Sequence, residues 1–259
     1  MDEFDKQPFT AHLEELRDRM IKAFVAIGLG FVVAYFFKER LFEILMQPLR
    51  KVMDVGDKLI FTGLPEAFFT YLKVSLLAGI MLATPVILYQ FWMFVAPGLY
   101  SREKKVLLPI VFLSSLFFLG GALFGYFIVF PYGFEFFLSF ANETIQALPS
   151  MKEYLSFSAK LLIAFGLAFE LPLVLTFMAK LGIVSVPFLK KNRKYAILIF
   201  FAGAAMLTPP DVVTQVMMAF PLMLLYELSI VGARVFGKKP SEELDDDEDE
   251  AEIGVNKNE

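Results

Sequence analysis

Cysteine is absent from this sequence, histidine and tryptophan occur once each, and charged residues fill only 20% of its 259 positions. Without cysteine there is no disulfide, no thiol nucleophile and no thiolate metal site. The lone histidine, His12, has no cluster of histidines and carboxylates around it, so it reads as a structural or surface residue rather than a ligand. Neither G-x-x-x-x-G-K-[ST] nor a G-x-G-x-x-G after a strand occurs, so ATP hydrolysis is not expected. No cofactor, no metal and no enzymatic chemistry are expected. The opening MDEFDKQPFTAHLEELRDRM is too polar for a secretory leader, and no A-x-A site follows it.

What the chain has instead is apolar length. Hydrophobic residues make up 57% of it, the mean hydropathy is +0.61, and the apolar positions are blocked into long runs. A soluble domain is nearer half apolar and a quarter charged. Crossing hydrocarbon takes about 20 apolar residues. On that measure six spans are expected, near 21–37, 67–94, 106–130, 154–179, 195–207 and 212–235. Pro85 interrupts the second, and Pro131 is read as ending the third. The fifth, about 13 residues or roughly 20 Å, is short for a hydrocarbon core of about 30 Å. Thr208 of TPPD is expected to cap the sixth helix, with Pro209 and Pro210 in its first turn. The stretch Lys38–Pro65 is read as a substantial outer loop. The expected fold is an all-α polytopic membrane domain over residues 1–240, followed by an acidic, solvated tail.

That tail, 241–259, holds ten acids and one lysine, and it reads as disordered. The rest of the chain is therefore net basic, and its lysines and arginines are unevenly placed. One side gathers Lys6, Arg17, Arg19, Lys22, Arg102, Lys104, Lys105, Lys180, Lys190, Lys191, Arg193, Lys194, Arg234, Lys238 and Lys239. The other has Lys38, Arg40, Arg50, Lys51, Lys58 and Lys152. The positive-inside rule then puts both termini in the cytoplasm.

Few charges fall within the spans. Lys73 and Lys160 sit near helix ends and can snorkel, and Glu227 lies near the cytoplasmic end of the last span. Glu170, inside LIAFGLAFELPLVLTFM, is deep. A charge at that depth costs about 2.5–3.5 kcal/mol on insertion scales and faces a bundle interior or a water-filled cavity. It marks a functional site or a hydrogen bond to a neighbouring helix. The GALFG of 121–125 is a G-x-x-x-G whose default reading is close helix packing. In HLEELRDRM, helical spacing brings His12, Glu15 and Arg19 to one face. A second acid, Glu103, lies in SREKK on the same side of the membrane. Two such carboxylates suit guanidinium groups, which bind them in a bidentate fork that lysine cannot make.

Several rarer stretches occur together in order: HLEELRDR at 12–19, PVILYQFWMFVAPGLYSREKK at 85–105 and FPYGFEFFLSF at 130–140. YLSFSAKLLIAFGLAFELPL follows at 154–173, LKKNRKYAIL at 189–198 and MLTPPDVVTQ at 206–215. Over residues 7–239 the sequence resembles the TatC family, the multispanning core of the twin-arginine protein translocase. The resemblance implies a concave, glove-like bundle of six helices with short fifth and sixth spans. It implies recognition of twin-arginine signal peptides and export of folded proteins driven by the proton motive force. Expected partners are TatA-like and TatB-like single-span proteins, membrane lipids and further copies of the chain, with no nucleic acid. The expected location is the bacterial plasma membrane. By the same resemblance Glu15 and Glu103 would receive the two arginines and Phe94 would line that region. Pro48 would support a cap over the concave face, Glu170 would be its intramembrane polar site, and Met206, Thr208 and Gln215 would meet a partner helix. A proton-coupled small-molecule carrier is the alternative, although no inverted repeat of broken helices is visible.

Overall fold

The structure, a computed structural model, describes residues 9–53, 59–95, 104–142, 144, 146–207 and 212–237. The acidic tail, Glu103 and Thr208 lie outside the described residues. The helices, in order, are α1 (Phe9–Tyr35), α2 (Lys38–Arg50), α3 (Glu66–Val95), α4 (Lys104–Phe124) and α5 (Phe130–Leu138). After them come α6 (Met151–Phe169), α7 (Leu171–Lys180), α8 (Val186–Lys191), α9 (Arg193–Leu207) and α10 (Val212–Phe236). No strand occurs among the described residues, and Ile60 pairs with Ser150 in an isolated bridge.

Four helical stretches are long and apolar enough to cross a membrane: Glu66–Val95, Leu108–Leu138, Met151–Lys180 and Gln215–Phe236. A fifth qualifies when α1 is taken with α2, and the two meet at 89°. The bundle turns much of its apolar surface outward. Phe24, Leu29, Phe112, Phe127 and Leu198 are all well over half exposed. Apolar area on that scale is unstable against water and stable against lipid. α9 is 15 residues, about 22 Å at 1.5 Å per residue, and is not among these crossing-length stretches.

Three expectations from the sequence need correction. Residues 38–50 are helix rather than loop. Phe42, Leu45 and Leu49 repeat at helical spacing and are buried against α3, α5 and α6, while the other face of α2 is polar. Second, Pro85 does not interrupt the second expected span: α3 runs as one helix from Glu66 to Val95 with Pro85 inside it. Third, Pro131 does not end the third span. A π-helical turn over Gly125–Val129 precedes it, Phe130 N–H donates to the Gly125 carbonyl, and helix continues as α5. Pro131 falls in the first turn after this change of register, where proline's lack of an N–H is tolerated.

Pro48 also acts through a missing N–H. In α2 the amide of residue 48 would have bonded the Ile44 carbonyl. That carbonyl instead accepts from the Tyr126 hydroxyl at 2.5 Å. Next to it, the Leu45 carbonyl accepts from Tyr154 of α6. Two phenols thus fix α2 across the end of the bundle, with Pro48 buried beneath it.

Close helix contacts are made by glycine. α1 and α3 touch backbone to backbone, so a Cβ on Gly30 would lie 2.6 Å from the Gly79 carbonyl oxygen. Gly121, the first glycine of the expected G-x-x-x-G, leaves its Cβ position 2.3 Å from the Phe165 carbonyl oxygen, which brings α4 onto α6. α7 packs along α10 and ends at Gly182, whose φ of 78° lets the Ile183 amide reach back to the Met178 carbonyl.

Opposite the termini of α1 and α3 that carry His12 and Phe94, Glu66 ties loop to helix. One carboxylate oxygen accepts from Thr62 N–H at 2.8 Å, from its hydroxyl at 3.2 Å and from Gly63 N–H at 3.3 Å. The other accepts from the Ser150 hydroxyl at 2.8 Å and the Lys152 amide at 3.0 Å. Ser150 caps α6, so one buried acid anchors the starts of α3 and α6 together.

Candidate functional site

The candidate sites fall at two depths. At the end of the bundle where α1 begins and α3 finishes, His12 stacks on Phe94. Their ring centroids are 4.4 Å apart and the planes 16° from parallel. The lone histidine is therefore a packing residue at a helix crossing. Glu15 is three residues on, hence on the same face of α1. It is already engaged: Arg19 donates to its Oε1 through Nε at 2.9 Å and through Nη2. The Arg19 side chain is only 14% exposed and that of Glu15 33%. Arg17, by contrast, points outward to Asp18. The end of the bundle thus offers a carboxylate already bound by an internal guanidinium, beside an aromatic pair.

The second site is Glu170, at the junction of α6 and α7. Pro172 follows within the first turn of α7, and its missing amide separates the two helices there. Glu170 is buried, and its Oε2 accepts from the Ser114 hydroxyl of α4. Ser114 in turn accepts from the indole Nε1–H of Trp92 in α3 at 2.9 Å. Trp92 is 1% exposed and packs edge-on against Phe177 of α7, centroids 4.9 Å apart. Leu88, Val111 and Phe118 close the surroundings. The hydrogen bond to a neighbouring helix, one of the two readings of Glu170 from sequence, is present. It engages one oxygen, and Oε1 is buried without a protein partner.

Trp92 and Ser114 were not singled out by sequence reasoning. A usable signal existed: the chain's one tryptophan and a Ser-Ser pair, both inside apolar runs. The remaining expected residues are spread out. Met206, near the end of α9, is 85% exposed. Gln215 donates its amide to the Phe201 carbonyl at 2.9 Å, tying α10 to α9. Pro48 is in α2, at the far end from His12. Between α1, α2, α3 and α4 runs an apolar groove of about 600 Å³, with Phe37, Ile44, Leu77, Leu123 and Phe127 in its walls. Among the described residues there is no group of three His, Cys, Asp or Glu arranged to hold a metal ion.

Residues 11–221 match the family model described as Sec-independent protein translocase protein (TatC). The chain belongs to the TatC family. A TatC protein of Desulforapulum autotrophicum is 70% identical over 249 residues, 96% of this chain and 91% of the relative. One of Magnetococcus marinus is 49% identical, over 94% of this chain and 90% of its own length. The fold agrees with a crystal structure described as the twin arginine translocase receptor TatC. The TM-score is 0.78 and the identity 44%, over 87% of this chain and 99% of that one. TatC membership, together with four to five apolar crossings, makes this a multi-pass membrane protein of a protein translocase. It sets aside the small-molecule carrier as an account of the chain.

Proposed function

We propose that the protein is the signal-receptor subunit of a twin-arginine translocase, set in a bacterial plasma membrane with both termini cytoplasmic and six helices crossing. Glu15 and Glu103 receive the paired arginines, and Phe94 supports that surface. The observation that carries this reading is the His12–Phe94 stack, which brings the end of α3 against the face of α1 that bears Glu15. Glu103 lies nine residues past Phe94 in the sequence. Once the arginines dock, the apolar part of the signal enters along the groove between α1 and α4, whose walls offer it contacts without polar competition.

Glu170 takes a polar group from a TatA-like or TatB-like single-span helix, and Met206, Thr208 and Gln215 form a second contact for such a helix. Pro48 supports α2 as a cap. The proton motive force drives export, several copies of the chain assemble with these partners, and the protein itself makes or breaks no bond. The test is binding of a labelled twin-arginine signal peptide to the protein in nanodiscs, with an Arg-Arg and a Lys-Lys peptide. Arg-selective binding that disappears in Glu15→Ala with Glu103→Ala is expected. Equal binding of both peptides, unaltered in the double variant, would refute the receptor assignment.

A further inference from the structure

Trp92, Ser114 and Glu170 form a one-way chain of hydrogen bonds. An indole N–H only donates, so Ser114 Oγ must accept from Trp92. The oxygen keeps a second lone pair, but its one proton has no other acceptor among the described residues, so the proton points at Glu170 Oε2. With that proton directed at Oε2, the oxygen acts as an acceptor, and a proton carried by the carboxyl group sits on Oε1. Oε1 is the buried oxygen without a protein partner. Three helices hold the three residues, and Ser114 is fully buried between them.

A glutamate side chain has three rotatable bonds, and this one stands at a break between two helices. Without a fixed oxygen its carboxyl group would sample many poses in an apolar surround. With Oε2 pinned, Oε1 is presented in one. We infer that Ser114, itself oriented by Trp92, is a positioning residue that holds the buried Oε1 of Glu170 in one pose, ready for a hydrogen-bonding side chain of an apolar helix that displaces the apolar side chains covering it. This rests on the reading of Glu170 as the intramembrane polar site, and it adds the residues that make that site directional.

Trp92 is the chain's only tryptophan, so it serves as a built-in fluorescence donor beside the site. The full-length protein is placed in liposomes with an apolar single-span peptide lacking tryptophan. The peptide carries one central glutamine and a dansyl acceptor. A control peptide has leucine in place of the glutamine. Energy transfer from Trp92 then gives both affinities. The wild type should favour the glutamine peptide about fivefold, the worth of one net hydrogen bond. Ser114→Ala should bring that ratio to about one and leave the leucine peptide unchanged. Ser114→Thr keeps the hydroxyl and should restore the ratio. Ser114→Val has the shape of threonine without the hydroxyl and should not, which separates the bond from any change in packing.

A ratio retained in Ser114→Ala and Ser114→Val overturns the positioning role. An equal loss for both peptides also overturns it, since that outcome makes Ser114 a packing residue alone. A wild type that does not distinguish the peptides removes the polar-site reading of Glu170 itself, and the inference with it.

Discussion

Replacing Arg19 with glutamine should tighten binding of a twin-arginine peptide, because Arg19 occupies the carboxylate that the peptide needs. The pair lies one helical turn apart, with Nε 2.9 Å from Glu15 Oε1. Exposed ion pairs contribute up to about 1 kcal/mol, and the limited exposure of Arg19 places it at the upper end of that range. If the incoming guanidinium must displace Arg19, removal of the competitor increases affinity by up to about fivefold. The competitor is the same for every ligand, so Arg-Arg and Lys-Lys peptides should gain equally and their ratio should hold. Arg17→Gln is the control. It deletes the same charge two residues away but leaves Glu15 occupied, since Arg17 pairs with Asp18. The assay is peptide binding in nanodiscs at fixed ionic strength. Unchanged or weaker binding in Arg19→Gln would show that Arg19 orients Glu15 rather than competing for it. An equal gain in Arg17→Gln would reduce the effect to a general change in field.

Four further outcomes follow from the geometry. Glu66→Ala strips five hydrogen bonds of their acceptor and should lower the melting temperature in detergent more than Glu153→Ala does; a smaller effect would refute the clamp. Gly79→Val should push α1 off α3 at a cost of about 1–3 kcal/mol, while Gly28→Ala, with nothing within 4 Å, should be silent; equal stabilities would count against the backbone contact. Tyr126→Phe leaves the Ile44 carbonyl without its donor and should destabilise by about 0.5–1.5 kcal/mol, provided Pro48 is present. In Pro48→Ala the restored amide should reduce that cost, and a double-mutant cycle reads the coupling. Arg193→Ala breaks a pair with Glu227 that is about half exposed at each end, and the change in stability should stay within about 0.5 kcal/mol.

The apolar runs announced the four to five stretches that are long and apolar enough to cross, because length and hydropathy are local properties of the chain. The same holds for the tight α4–α6 contact at Gly121, which the G-x-x-x-G spacing carried, and for the shortness of α9. α2 was overlooked although Phe42, Leu45 and Leu49 spell out its buried face. Its charged outer face made the stretch look like a loop. The continuation through Pro131 could not be read, because it depends on a π-turn that no composition rule signals. For the sites, the shared face of His12, Glu15 and Arg19 follows from helical spacing. That His12 lies against Phe94 does not, since the two are brought together by the packing of α1 on α3. Glu170 was conspicuous as an acid in an apolar run. Its partner Ser114 is 56 residues earlier, and only the tertiary fold joins them.

The π-turn at Gly125–Val129 sets a phase for everything after it. One extra residue in a helical turn rotates the downstream side chains by about 100° relative to an unbroken helix. In the phase observed, Phe130 and Phe134 face inward, the latter 5.3 Å from the Tyr154 ring, while Tyr132 faces out. Deleting a single residue from the turn would dial that face away and expose the phenylalanines. It would also return Pro131 to an ordinary helical interior. The segment should therefore tolerate substitutions far better than a change of length, and its residue count works like the tooth count of a gear: one tooth fewer, and α5 no longer meshes with α6.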